Sequence, residues 1–399
     1  MKLLSRQKNL KGKYVLVRVD YNVPLTKNRV IDDTRLVASV PTIDYLEEKG
    51  ARVILVSHLG RPNGKEDPVL RMEPVRKRMA ALLEKDVLKL ETGNWQLSNA
   101  KKLKLIAQID DMKNGDVALM ENIRFSPDEE KNTGTLSQEL ANLVDLFVLD
   151  GFGVAHRRAA SVTGVANYIP AYAGLLLEEE IKGLDKVIKK PKAPFVVVLG
   201  GAKIETKIPV MKHLLPKADS MLLGGGLVNT YLKAKGYRIG DSLYDKNFTK
   251  QALTYGKKRN AILPVDVLVG TLDGKQHRVV DIKKTPHQIC KKGEGIYDIG
   301  PKTIQLYAQY IKEAQTLVWN GAMGYFEQQP YHIGTMAIAR LVASRSKGKA
   351  FGIIGGGETL QAMDIVGMRD DIDLVSTGGG AMLEYLAGET LPGIAALQK

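Results

Sequence analysis

The sequence predicts an α/β fold with two doubly wound parallel-sheet domains joined by a helix, with a cleft between them. Three observations carry this expectation. Apolar Val/Ile/Leu-rich runs alternate with helical stretches, the pattern of βαβ units whose strands are covered on both faces. Nearly every run ends in a polar or glycine-rich motif, and an open parallel sheet carries its chemistry just beyond the carboxyl ends of its strands. A chain of 399 residues is also too long for one ordinary core.

The runs fall into two sets. VLVRVDYNVP (15–24), VILVSHLGRP (53–62), ALMENIRF (118–125), LFVLDGFGVAHRR (146–158) and ILPVDVLVG (262–270) end in arginine, histidine or carboxylate motifs. VVVLGGAKIETK (196–207), SMLLGGGLVNTYL (220–232), FGIIGGGETLQAM (351–363) and LVSTGGGAMLEYL (374–386) end in glycine pairs or triplets. Helical patterns lie between them at 39–50, 71–86, 137–145 and 301–315. A further helix over Leu175–Ile188 is stopped by Pro191 and Pro194 and reads as a rigid connector. The expected domains are 1–172, the connecting helix 173–190, a second domain 191–375, and a last segment 376–399.

Composition narrows the function classes. Apolar content of 44% and charged content of 26% are those of a soluble globular protein, expected in the cytoplasm. No apolar stretch approaches the roughly 20 residues of a membrane span, and the first residues show no signal-peptide pattern. The single cysteine, Cys290, fits a reducing compartment; nearby lysines are expected to lower its pKa, but nothing else marks it as a nucleophile. The net charge is +14, yet the lysines are scattered and aromatics are only 6%, which favours a solvated basic surface over a nucleic-acid groove. Neither a nucleic-acid nor a membrane partner is expected, and the chain is expected to be a monomer.

In the first half, Asp20, Asn22, Arg35, His58, Arg61, Arg124, His156 and Arg157 lie beyond strand ends. Arginine grips phosphate and carboxylate through a planar fork of donors, so four converging arginines would hold a small polyanion. Asp20 and Asn22 would accept from a hydroxyl or orient an arginine. No HxH, HExxH or Cys/His cluster accompanies the histidines, which argues against a transition-metal site.

In the second half, Gly200-Gly201-Ala202-Lys203 opens a helix-like stretch that places Lys203 and Lys207 on one face. Gly355-Gly356-Gly357-Glu358-Thr359 has the same build, and its glycines let backbone N–H groups approach phosphate. Glu358 would repel a bare anion and makes sense with an intervening Mg²⁺, which takes hard oxygen ligands; a favourable acid in a first helical turn is the alternative. Asn320 and Glu327, in VWNGAMGYFE, are candidate ligands for phosphate and ribose. There is no Walker A motif, no HRD–DFG set and no GxGxxG after a first strand, which sets aside a P-loop enzyme, a protein kinase and a nicotinamide-dependent dehydrogenase.

The motifs RVDYNVP, SHLGRP, ENIRF, DGFGVAHR, GGAKIETK, GGGLVNTYL, LPVDV, DIGPKT, WNGAMGYFE, GGGETLQAM and STGGGAMLEYL, in this order over the whole chain, resemble those of the phosphoglycerate kinases. The resemblance implies two Rossmann-like domains and reversible phosphoryl transfer between 1,3-bisphosphoglycerate and ADP, giving 3-phosphoglycerate and ATP. It implies that Asp20, Tyr21, Asn22, Arg35, His58, Leu59, Gly60, Arg61, Arg124, His156 and Arg157 bind the phosphoglycerate. It assigns Gly201, Lys203, Lys207, Gly225, Asn320, Glu327, Gly356, Gly357, Glu358 and Thr359 to Mg-ADP or Mg-ATP, with Glu358 on the metal. Gly201 and Gly225 suit an apolar, backbone-lined adenine pocket. The last segment would return to the first domain, with Gly378 to Gly380 facing the closed cleft.

The chain departs from the usual pattern at several of these motifs. Glu358 stands for the usual aspartate, Ala322 for the proline of WNGPMG, and Gly151 and Val154 for alanine and threonine in DAFGTAHR. Arg158 follows Arg157 where a small residue is common, and Glu205-Thr206 is also unusual. None removes a lysine or arginine assigned to catalysis. A carboxylate acceptor is already ionised at pH 7, so the expected mechanism uses no general base. It rests on positioning and charge neutralisation, with Arg35, Lys203 and Lys207 as the catalytic cations.

Overall fold

The computed structural model describes residues 1–92, 95, 98–285 and 287–398. It divides into two compact units, Met1–Ile181 together with the chain from Thr390 onward, and Lys182–Glu389. The division falls inside the helix Leu175–Lys189.

In the first unit six strands form one parallel sheet: β1 Tyr14–Arg18, β2 Arg52–Val56, β3 Val87–Leu90, β4 Val117–Met120, β5 Leu146–Leu149 and β6 Ala171–Ala173. Their spatial order is β3-β4-β2-β1-β5-β6. Alternate residues supply one face: Val15 and Val17, Val53 and Leu55, Val117 and Leu119 pack with Leu36, Ile43 and Leu46 of the helix Thr34–Glu48. That helix starts earlier than its sequence pattern suggests and runs through Pro41, which lacks the N–H to bond the preceding turn. The chain reverses its direction of growth across the sheet at β1 and β5, and their carboxyl ends mark the crevice where a ligand site is expected.

The second unit has its own parallel sheet: β7 Phe195–Leu199, β8 Ser220–Leu223, β9 Ala261–Ile262, β10 Thr316–Asn320, β11 Phe351–Gly355 and β12 Leu374–Ser376. The order is β9-β8-β7-β10-β11-β12, that of dinucleotide-binding domains, with the switch point between β7 and β10. Trp319, Val198 and Leu317 pack with Tyr307 and Ile311 of the helix Pro301–Glu313 and with Ile338 and Val342 of the helix Ile333–Ser346.

Two expectations are corrected here. The run 262–270 is not one parallel strand. Pro264 splits it, and Asp266–Gly270 pairs antiparallel with His277–Asp281 and Gly295–Ile299 in a separate three-stranded sheet. The segment following β12 also stays with the second unit as far as Glu389. The helix Gly380–Leu386 packs on the helix Ile208–Leu214, so the return to the first unit begins at Thr390 rather than 376. Among the described residues no helix is long and apolar enough to cross a membrane.

Candidate active site

The first half-site is built where β1 and β5 end. Asp20, just beyond β1, places Oδ2 3.0 Å from Arg35 Nη1, and Arg35 also donates to the Asn22 carbonyl at 3.1 Å. Asn22 accepts from the Gly60 amide at 2.9 Å. Gly60 has φ +62°, a conformation that favours glycine, so the SHLGRP turn can present its amide in this direction. Arg124 donates to the Gly60 carbonyl at 2.7 Å and meets Glu130 at 3.1 Å. Arg157 lies 4.0 Å from the same Glu130 oxygen. Arg61 and Asn22 are exposed. Leu59 is buried, and its amide donates to Asn122 at 3.2 Å.

Electrostatically this half-site is a cation cluster short of anions. Burial, reinforced by Arg157, pushes the Arg124 guanidinium down to about 10. Burial first, and the neighbouring Arg18, Arg124, Arg157 and Arg35, hold the His58 imidazole well below its usual range. His156 is lowered for the same reasons, burial and then Arg157. The Arg157 Nε is buried without a hydrogen-bond partner. A buried donor left unpaired is costly, and the cluster of arginines around it suits a bound anion.

Tyr21 does not reach the site with its ring. It is wholly buried, its hydroxyl bonds Ser39 at 2.7 Å, and burial raises its pKa. Sequence reasoning also missed Arg18, Glu129 and Ser161, a buried group behind His58.

The second half-site lies at the β7/β10 switch point. Gly201, Gly321 and Gly356 have φ of +90°, +88° and +95°. A Cβ on Gly201 would come within 2.9 Å of Glu358 Oε2, and one on Gly356 within 2.8 Å of Asn320 Nδ2. The loops therefore need glycine in order to close on one another. Asn320 ends β10, accepts from the Lys207 ammonium and donates to the Gly355 carbonyl at 2.6 Å. Thr359 is buried and accepts from the Gly321 amide at 2.7 Å. Gly357 opens the helix Gly357–Val366, with Glu358 exposed in its first turn and Oε2 3.4 Å from the Ala322 amide.

Lys203 and Lys207 do not share a helix face. The chain from Gly201 to Lys207 is a turn, and the helix begins only at Ile208. Lys203 is exposed, whereas Lys207 is buried. Burial pushes the Lys207 ammonium down to about 8, against the pull of Glu358.

Next to these loops is a pocket of about 600 Å³, the size of a small-molecule site. Gly201, Gly225, Leu243, Val267, Met323 and Phe326 give it an apolar, backbone-rich wall, and Glu327 and Glu358 lie at its polar margin. Asp298, overlooked in the sequence, also lines it. Burial pushes its carboxyl up to about 8, and it accepts from the amides of Ile299 at 2.8 Å and Gly334 at 2.6 Å.

Cys290 is buried, and burial pushes its thiol up to about 11, the opposite of the lowering expected from nearby lysines. Among the described residues no group of three or more His, Cys, Asp or Glu side chains is placed to hold a metal by itself.

Comparison with known proteins agrees with this architecture. The phosphoglycerate kinase family model matches residues 5–389. The chain is 44% identical over 396 residues to the phosphoglycerate kinase of Clostridium botulinum (strain 657 / Type Ba4), covering 98% of this chain and 96% of that one. It is 45% identical over 397 residues to that of Chloroflexus aurantiacus (strain ATCC 29366 / DSM 635 / J-10-fl), covering 97% and 96%. The solved phosphoglycerate kinase of Coxiella burnetii superposes with a TM-score of 0.85 at 37% identity, covering 99% of this chain and 98% of that one. The enzyme of Pyrococcus horikoshii OT3 gives 0.83 at 31% identity, covering 100% and 98%. A family match over nearly the whole chain, with relatives at 44–45% identity and solved structures of the same fold, means that the chain is a kinase belonging to the phosphoglycerate kinase family.

Proposed function

We propose that the chain catalyses Mg²⁺-dependent phosphoryl transfer between 1,3-bisphosphoglycerate and ADP, reversibly giving 3-phosphoglycerate and ATP, in the glycolysis of a cytoplasmic compartment. The observation that carries this reading is the pairing of an anion-seeking arginine cluster at one switch point with a nucleotide-sized glycine-walled pocket at the other.

In this reading Arg124, His156, Arg157, His58 and Arg61, with Asn22, hold the phosphoglycerate. Asp20 fixes the Arg35 guanidinium at 3.0 Å so that it meets the transferring group already oriented. The pocket walled by Gly201 and Gly225 takes the base, and Glu327 the ribose. Lys207, the 356–359 helix start and exposed Lys203 take the phosphates. The acceptor carboxylate is ionised at neutral pH and needs no general base, in keeping with two histidines held neutral by burial. Rate enhancement then comes from fixed cations aimed at the charge of the transition state.

Mg²⁺ fits this donor set. It is usually held by one or two carboxylates plus substrate phosphates rather than by a protein cage, and Glu358 presents one exposed carboxylate beside the glycine loops. Bound there, the ion would neutralise phosphate charge. Because the phosphoglycerate and nucleotide residues belong to different units, direct transfer requires the two to be brought together, which also keeps water from the acyl phosphate.

The test is a coupled assay of the purified protein with 3-phosphoglycerate, ATP and titrated Mg²⁺. Turnover dependent on all three is expected. Absence of turnover, both in the protein and in its Glu358→Asp variant, would refute the reading.

A further inference from the structure

Arg18 closes β1 and is 1% exposed, one of the largest fully buried side chains in the protein. Among the described residues its one ion-pair contact, to Glu129 Oε1, is 4.0 Å. The guanidinium is held by hydrogen bonds instead. Nε donates to Ser161 Oγ at 2.7 Å, and one Nη donates to the Val19 carbonyl. Ser161 is itself fixed by Glu129, donating from Oγ at 2.7 Å and from its amide at 2.9 Å. This leaves the second Nη facing His58 Nδ1 at 3.3 Å.

A guanidinium has five donors and no acceptor. Its contact with Nδ1 is a hydrogen bond only if that nitrogen is unprotonated. The competing partner is Asp20, whose carboxylate would select a proton on Nδ1. It lies 3.9 Å away, beyond hydrogen-bond reach. The other charged groups facing the ring, Arg35, Arg124 and Arg157, all disfavour an imidazolium, as does burial. A neutral imidazole with an accepting Nδ1 carries its proton on Nε2.

We propose that Arg18 is a positioning residue of the anion site: the buried series Glu129–Ser161–Arg18 holds His58 as the neutral Nε2–H tautomer. His58 then offers a hydrogen bond to an anionic ligand without adding another positive charge to a cluster that already holds Arg35, Arg124 and Arg157. The role in ligand binding rests on the phosphoglycerate reading above; the tautomer does not.

Long-range ¹H–¹⁵N NMR of the uniformly ¹⁵N-labelled full chain tests it, with the His58 signals assigned by their loss in His58→Gln. The expected spectrum has a pyrrole-type Nε2 and a pyridine-type Nδ1 that persist from pH 8 to pH 5. A pyrrole-type Nδ1, or an imidazolium at pH 7, overturns the proposal. Arg18→Lys, which keeps a donor, is expected to retain the tautomer. Arg18→Met is expected to release it, so that Nδ1 and Nε2 share the proton, while burial and Arg35, Arg124 and Arg157 still keep the ring neutral at pH 7. In that variant KM for 3-phosphoglycerate should rise about tenfold, the loss of a hydrogen bond to a charged group, with little change in kcat. An unchanged tautomer in folded Arg18→Met would overturn the positioning role. If Arg18→Met does not fold, the wild-type spectrum and Arg18→Lys still decide. A wild-type Nε2–H tautomer in a protein that does not turn over 3-phosphoglycerate would refute the proposed activity and leave the Arg18–His58 relation standing.

Discussion

The Glu130 carboxylate lies 3.1 Å from the Arg124 guanidinium, and the same oxygen is 4.0 Å from Arg157. An internal carboxylate thus occupies donors that the functional reading assigns to the ligand. Glu130 is half exposed, with 52% of its side-chain surface in water, whereas Arg124 is buried. The acid is therefore the partner free to move, and under the proposed function it must give way to the phosphoglycerate.

Glu130→Gln should relieve that competition. With its acid half in water and only its arginine buried, the pair is worth about 1 kcal/mol, so KM for 3-phosphoglycerate should fall by about fivefold with kcat nearly unchanged. Inhibition by inorganic sulfate should strengthen in parallel. Steady-state kinetics with a sulfate titration measure both, and unchanged values for the two would show that Glu130 is only a surface partner.

Lys207 gives the proposed nucleotide site a pH signature. Burial lowers its ammonium to about 8 from an ordinary 10.5, so above pH 8 the free protein loses this charge, while bound phosphate favours the protonated form. ADP affinity should therefore decline as pH rises from 7 to 9, and binding near pH 8.5 should take up a proton. Calorimetry in buffers of different ionisation enthalpy reads the uptake. Lys207→Arg, charged throughout, should bind ADP without it. Equal proton uptake in both proteins would place the titrating group elsewhere.

Much of this was legible in the sequence because glycines and cations sit where strands end. Gly201 and Gly356 need positive φ, and Arg124, His156 and Arg157 follow apolar runs that can only be buried strands. Other parts were hidden for physical reasons. Arg18 lies inside VLVRVD, where a basic residue at a strand end reads as solvated; burial depends on Ser161 and Glu129, distant in the chain. Glu129 and Glu130 belong to PDEEKN, which looks like an ordinary charged turn. The four-residue spacing of Lys203 and Lys207 suggests a helix, but Gly201 at φ +90° starts a turn instead. The run at 262–270 shows that apolar content does not separate a parallel strand from an antiparallel one.

Glu358 should govern metal use more than nucleotide binding as such. Glu358→Ala should raise the Mg²⁺ concentration for half-maximal turnover by about tenfold or more, the scale of losing a partner in a coordination shell. With a chelator present, metal-free ADP should bind as well or better, because a carboxylate beside the phosphates has gone. Titration of ADP with and without Mg²⁺ separates these effects. A Glu358→Ala protein with unaltered Mg²⁺ dependence would mean that Glu358 only favours the first helical turn and holds the Ala322 amide.

Asp150 ties the end of β5 to the start of the helix Leu175–Lys189, accepting from Thr42 Oγ1 at 2.8 Å and from the Leu176 amide at 3.1 Å. It is fully buried, and burial raises its carboxyl to about 7 from an ordinary 3.8. The folded state then holds the proton more tightly than the unfolded one. The stabilisation is complete below pH 3.8 and is lost progressively as pH rises towards 7, by about 1.4 kcal/mol per unit at most. Asp150→Asn has no such titration. Its stability relative to wild type should climb between pH 4 and pH 7 and level off above, whatever constant offset the amide introduces. Thermal unfolding of both proteins at pH 4, 5, 6, 7 and 8 measures the difference. A difference independent of pH would show that Asp150 is ionised throughout, with the Thr42 and Leu176 donors outweighing the cost of burial.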